Sequence, residues 1–246
     1  MQEIPKKIHY CWFGGNILSE EVKKYIETWK KYCPDYEIIE WNESNFDVNQ
    51  NQYCKEAYES KKWAFVSDYV RLKVLYDNGG IYFDTDIELC KSLDCFLEYS
   101  WFAGFESNEY ISTGVIGSCK NCEIIQFILN DYERRHFLKA NGNYDLTTNV
   151  VQITELLRKK YNINFNNKLQ IFGDNYLLLP IDYLSAKNFF TGEILKTKNT
   201  YAIHHFAGTW RTKKELFKDK IRKVLISLFG ENFVKIILKI RKRVGK

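Results

Sequence analysis

Asp84 and Asp86 stand two residues apart at the end of Ile81-Tyr82-Phe83, a short apolar run that follows Gly79-Gly80. On an extended chain their carboxylates point to one side and Thr85 to the other. Two carboxylates so close repel each other, and a divalent cation relieves that repulsion. Hard oxygen ligands suit Mg²⁺ or Mn²⁺, ions that keep positions open for substrate phosphates. The expected chemistry is therefore on a phosphate-activated compound. A pair of solvated carboxylates in a turn is the bland alternative.

Three further groups invite the same question. Asp68 and Arg71 are three apart in an apolar-periodic stretch, so they share a helix face and can pair. Val66, Val70, Val74 and Leu75 make the neighbouring face apolar, which places the pair at a core edge. His204 and His205 are adjacent after a predicted strand; they face opposite ways, so only one can enter a site. A nitrogen ligand beside carboxylates favours Mn²⁺ over Mg²⁺. Cys119 and Cys122 have the spacing of half a zinc site, but no matching second pair follows, and structural zinc needs four ligands.

The elements that must position these residues are legible from pattern. A first strand is expected over Lys7–Phe13, a helix from Ser19 to Lys31, and a second strand over Glu37–Trp41. Helices are expected at Tyr53–Lys61 and Ala64–Asp77, with Gly79-Gly80 stopping the second. Strands follow at Ile81–Phe83, Trp101–Phe105 and Ile111–Gly117, then helices at Glu123–Phe137 and Asn149–Tyr161. Short strands are expected at Leu169–Phe172, Tyr176–Leu179 and Tyr201–Phe206. Alternating strands and helices mean a layered α/β domain with a mainly parallel sheet, which binds ligands at the carboxyl ends of its strands. Trp12, Asp84, Asp86 and His205 all fall there.

Three stretches together resemble one family. Lys7-Ile-His-Tyr-Cys-Trp-Phe-Gly-Gly15, Ala64-Phe-Val-Ser-Asp-Tyr-Val-Arg71 and Gly79-Gly-Ile-Tyr-Phe-Asp-Thr-Asp86 are similar to successive signatures of the DxD sugar-binding glycosyltransferases. That family includes bacterial capsular and lipopolysaccharide sugar transferases and yeast initiating mannosyltransferases. The catalytic domains of the large clostridial glucosylating toxins are similar at the same places. The resemblance spans about Ile4 to Trp210. It implies a single-domain GT-A (Rossmann-like) fold over residues 1–210, a nucleotide-sugar donor (a UDP-sugar), a divalent metal, and retention of anomeric configuration. It further implies that Trp12 stacks on the base, Asp68 and Arg71 hold donor-sugar hydroxyls, Tyr82 lines the nucleotide pocket, and Asp84 and Asp86 bind metal and ribose. His-x-x-Gly resembles the C-terminal metal motif of related GT-A enzymes; it selects His205 as ligand and gives Gly208 and Trp210 to the diphosphate. The family's Thr-Gly-Pro is absent at Thr147-Thr148-Asn149, where helix capping by Thr148 or Asn149 is explanation enough. A haloacid-dehalogenase-like phosphatase using Asp84 and Asp86, or a non-catalytic sugar- or membrane-binding module, is the alternative function.

Composition bounds the rest. The chain has 246 residues, 45% hydrophobic and 16% aromatic, enough for one substantial core and incompatible with a disordered chain. No run of 18 apolar residues occurs, and the first residues lack an apolar signal region, so a cytoplasmic protein is expected. Its seven cysteines are expected to be reduced thiols. The net charge of +5 is uneven: Arg211–Lys246 carries 13 Lys/Arg against 3 Asp/Glu, leaving the body mildly acidic. Such a body does not bind nucleic acid. Apolar residues at helical spacing in residues 211–246 predict basic amphipathic helices that lie on an anionic bilayer, at the inner face of the plasma membrane. A lipid-linked oligosaccharide acceptor, in capsule, exopolysaccharide or lipopolysaccharide synthesis, fits that placement.

Overall fold

The structure, a computed structural model, describes residues 3–189 and 191–208. Seven strands form the central sheet: β1 (Lys7–Cys11), β2 (Glu37–Trp41), β3 (Gly80–Phe83), β5 (Trp101–Phe105), β6 (Ile111–Ser118), β7 (Gln170–Phe172) and β8 (Tyr176–Leu179). Their order is β2-β1-β3-β6-β5-β8-β7. The β1–β2, β1–β3 and β5–β8 pairings are parallel, and only β6 and β7 run against the common direction. The sheet is thus mixed but mostly parallel. A second, two-stranded sheet pairs β4 (Ile87–Leu89) with β9 (Ala202–His204).

Helices cover both faces, as a buried mostly parallel sheet requires. Side chains split by parity: Tyr82, Trp101, Ala103, Phe105 and Leu178 join one apolar cluster, while Ile81, Phe83, Phe102, Leu177 and Leu179 join the other. The first cluster packs under α2 (Gln52–Glu59), α3 (Trp63–Asn78), α4 (Glu123–Tyr132) and α5 (Asn149–Lys160). The second packs under α1 (Glu20–Tyr32) and a short helix, α6 (Ile181–Leu184). Gly117 gives Phe102 its seat, since a Cβ there would lie 2.0 Å from that ring.

Local chemistry accounts for most boundaries. The Ser19 hydroxyl accepts from Val22 N–H and caps α1, whose first turn is acidic and last turn basic, as the helix dipole favours. Gly79, at φ +65°, ends α3 and returns its N–H to Leu75 O. The expected strand over Lys7–Phe13 stops two residues early, and the helix from Glu123 stops at Tyr132 instead of Phe137. The helix-capping role expected of Thr148 or Asn149 is not what the structure shows. Thr148 is the N-cap of α5 without a side-chain bond, and Asn149 is buried with its Oδ1 accepting from Thr113 Oγ1 at 3.1 Å. The expected amphipathic helices of residues 211–246 lie outside the described residues, as does Trp210.

Candidate active site at the end of β3

β3 delivers Asp84 to the carboxyl edge of the sheet, between parallel β1 and antiparallel β6. Asp84 N–H donates to Gly114 O at 2.8 Å, which fixes where the chain leaves the strand. From there β4 pairs with β9 in the register Ile87↔His204, and His205 N–H donates to Asp86 O at 3.0 Å. That pairing brings a histidine from the far end of the described chain beside the two aspartates.

The histidine is His204. Ligand atoms of Asp84, Asp86 and His204 lie within 4.8 Å of one another. His204 Nε2 is 3.3 Å from Asp86 Oδ1 and 4.0 Å from Asp84 Oδ2. His205 is directed elsewhere: its Nε2 meets Glu88 Oε2 at 2.8 Å and its ring stacks on Tyr25 at 4.8 Å. The resemblance that selected His205 is corrected on this point, because register decides which of two adjacent strand residues faces the site. Gly114 makes room for the chosen ring, since a Cβ there would lie 2.9 Å from His204 and 3.3 Å from Asp84 Oδ2.

The donor set fits a divalent cation. Two carboxylates and an imidazole are mixed oxygen and nitrogen ligands of the kind first-row divalent ions accept. Burial disfavours the charged imidazole of His204, but the carboxylates of Asp86, Asp84 and Glu106 outweigh it and raise its pKa. Burial likewise pushes Asp86 up, and the His204 charge with the Ala207 N–H at 2.7 Å pulls it below the usual carboxylate range. The imidazolium thus sits where positive charge is wanted, and a cation held there replaces a proton.

Behind the aspartates lies Arg71 of α3. Its Nη1 is 3.0 Å from Asp84 Oδ1 and donates to Thr113 O at 2.8 Å; its Nη2 donates to Asp68 Oδ1 at 3.0 Å, and its Nε to Ser67 O at 3.2 Å. The guanidinium also lies over the Tyr82 ring, 4.6 Å from its centroid. Nearly all its donors are spent on the protein, so Arg71 positions Asp84 and Asp68 and is not free to grip sugar hydroxyls. Asp68 is 6% exposed, and burial pushes its carboxyl up to about 7 against the opposing charge of Arg71.

Tyr82 differs from expectation as well. It is 2% exposed, and its hydroxyl donates to Asp84 Oδ1 at 3.1 Å. Alternation along β3 turns it into the core under α3, so it holds an aspartate and does not line a nucleotide pocket. Trp12 is half-buried just past β1, its Nε1–H donating to Asn16 O at 2.6 Å. Gly208, at φ +60°, follows Ala207, whose N–H donates to Asp86 Oδ2.

Two residues were not signalled as site residues by the sequence. Glu106 follows β5, and burial raises its carboxyl while Asp84 and Asp86 raise it further against His204. Asn149 keeps its Nδ2 unpartnered among the described residues, next to the Thr113 that Arg71 holds. The missing Thr-Gly-Pro pattern was the only sequence signal near it. Arg71 and Tyr82 hold Asp84 Oδ1, which leaves Oδ2 on the side of His204, 4.0 Å from its Nε2.

Comparison with known proteins agrees with this geometry. Residues 19–103 match the glycosyltransferase sugar-binding region containing DXD motif. Subversion of eukaryotic traffic protein A of Legionella pneumophila is 26% identical over 188 residues, 62% of this chain and 28% of that protein. Inositol phosphoceramide mannosyltransferase 3 of Schizosaccharomyces pombe is 29% identical over 142 residues, 54% of this chain and 38% of that one. The chain therefore spans well under half the length of these two relatives. The solved PaToxG glycosyltransferase has the same fold, with a TM-score of 0.50 at 22% identity over 65% of this chain and 70% of its own. The likenesses thus share the DXD-containing region and, for the solved structure, the mixed α/β fold.

Proposed function

We propose, from the match of residues 19–103 to the sugar-binding region of DXD-containing glycosyltransferases, that this chain is a metal-dependent, retaining transferase. It moves a sugar from a nucleotide-sugar, a UDP-sugar in our reading, to a glycan acceptor. The observation that carries the proposal is the Asp84, Asp86 and His204 cluster at the carboxyl end of β3, inside and opposite the matched region.

Asp84, Asp86 and His204 would hold Mn²⁺ or Mg²⁺, which supplies electrostatic stabilisation to the leaving diphosphate. Arg71 and Tyr82 fix the Asp84 carboxylate from behind, so it need not reorganise during reaction. Asp68 and Asn149 are the residues assigned to donor-sugar hydroxyls, holding the anomeric carbon toward the acceptor. Trp12 offers an aromatic face to the base, and Gly208 and Trp210 are assigned to the diphosphate. Attack from the face the diphosphate leaves is the mechanism consistent with retention.

For the acceptor, the likeness to a fission-yeast inositol phosphoceramide mannosyltransferase supports a lipid-linked substrate. The basic segment 211–246 supports a site at an anionic membrane surface, the inner leaflet in bacterial capsule, exopolysaccharide or lipopolysaccharide synthesis.

The test is nucleotide release over a panel of UDP- and GDP-sugars, with Mn²⁺ or with EDTA. One donor should be hydrolysed slowly with the metal and not at all with the chelator. Asp86→Asn should lower that rate by about 10²-fold or more. Silence across the panel, with no thermal shift from any nucleotide plus Mn²⁺, removes the proposal.

A further inference from the structure

Between α6 and β9 the chain makes a hairpin that the chemistry above does not use. Leu195 N–H donates to Ala186 O at 2.7 Å, Lys187 bridges to Ile194, and Asn188 N–H donates to Glu193 O at 2.8 Å. Every residue from Glu193 to Lys198 is exposed. Among them are two aliphatic side chains in succession, Ile194 at 43% and Leu195 at 56% exposure. A single exposed aliphatic residue needs no explanation. Two together, followed at once by exposed lysines, make a surface that is apolar and basic.

Positive charge surrounds this tip. Lys196 and Lys198 come directly after Leu195, and Lys91 lies against the same segment, its Nζ donating to Lys198 O. The neighbouring carboxylates are engaged: Glu88 meets His205 at 2.8 Å and Lys196 at 3.8 Å, and Asp182 accepts from Thr197 Oγ1 at 2.7 Å. Glu193 is the one acid between Lys187 and Lys198.

The hairpin is anchored beside the cation cluster. Lys187 Nζ donates to His205 O at 2.9 Å, and the Phe189 and Phe206 rings meet edge to face at 5.2 Å. The described chain ends at Gly208, three residues past His205. From that neighbourhood the sequence continues into segment 211–246, with its 13 Lys/Arg against 3 Asp/Glu. Aliphatic side chains ringed by ammonium groups suit an anionic bilayer, where the apolar tip enters the interface and the lysines stay with lipid phosphates.

We propose that Ile194 and Leu195 insert into the interface of an anionic membrane, with Lys196 and Lys198 on its headgroups, so that the site at the end of β3 is held at the lipid surface. That the lipid there carries the acceptor rests on the transferase reading; insertion of the hairpin does not.

The experiment is sedimentation of the full chain with vesicles of phosphatidylcholine, with and without phosphatidylglycerol. The wild-type protein should bind the phosphatidylglycerol vesicles, and the double variant Ile194→Ser, Leu195→Ser should bind them about tenfold more weakly at an unchanged melting temperature. An environment-sensitive dye on Leu195→Cys, with Cys90→Ser and Cys95→Ser in the same chain, should brighten and shift to the blue on those vesicles. Equal affinity in the double variant, or an unshifted dye on bound protein, overturns insertion of the hairpin and leaves membrane contact to segment 211–246. No binding by the wild-type protein overturns both the hairpin and the membrane placement. Nucleotide release on the same sample decides the transferase reading separately.

Discussion

Arg71 shows how much of this site is carried by one side chain. It is 5% exposed and joins Asp68, Asp84, Thr113 and Ser67. Arg71→Met should therefore cost about 3–5 kcal/mol in urea unfolding, because two carboxylates would be left without their counter-charge. Tyr82→Phe removes only the hydroxyl on Asp84, and calorimetry should show Mn²⁺ binding weakened about tenfold with stability little changed. The spacing of Asp84 and Asp86, and the i, i+3 placement of Asp68 and Arg71, were legible in the sequence because both follow from local periodicity. The choice of His204 over His205 was not, because it depends on a strand register set between segments half the chain apart. The saturation of Arg71 was equally hidden, since Thr113 lies on another strand.

At the scale of elements, His9 joins three neighbouring strands. It is fully buried; its Nδ1 accepts from Trp41 Nε1–H at 3.1 Å, and its Nε2–H donates to Gly79 O at 2.8 Å. A Cβ at Gly80 would lie 2.8 Å from that Nε2, so the glycine and the histidine need each other. Burial is the main cause lowering the His9 pKa from 6.5 to about 4. The unfolded chain then binds the extra proton first as pH drops. Stability is held above about 6.5 and lost as pH falls toward about 4, a loss of about 3 kcal/mol. Urea unfolding between pH 7 and 4 should show that slope, and His9→Gln should flatten it. Sequence pattern located α1, β2 and β8 because caps, acidic first turns and compact apolar runs are local signals. It did not reveal β4 or α6: three or four residues carry no period, and β4 exists because β9 pairs with it.

For the whole molecule, the acidic body and the basic segment 211–246 invite a separation experiment. Removing 211–246 should release the protein from anionic liposomes, and salt should do the same to the full chain. Unchanged sedimentation with liposomes after truncation would assign membrane contact elsewhere. None of the described helices is long and apolar enough to cross a membrane. The sheet order was legible only as a class, since alternation predicts a layered α/β domain but not which strands reverse. The pairing of β4 with β9 also orders events during synthesis. A ribosome completes Asp84 and Asp86 early, together with the arginine and tyrosine that hold them, yet must add nearly half the chain again before His204 emerges. Until then the nascent domain has two of the three clustered side chains, and every product of premature termination before β9 leaves the ribosome unable to assemble the cluster.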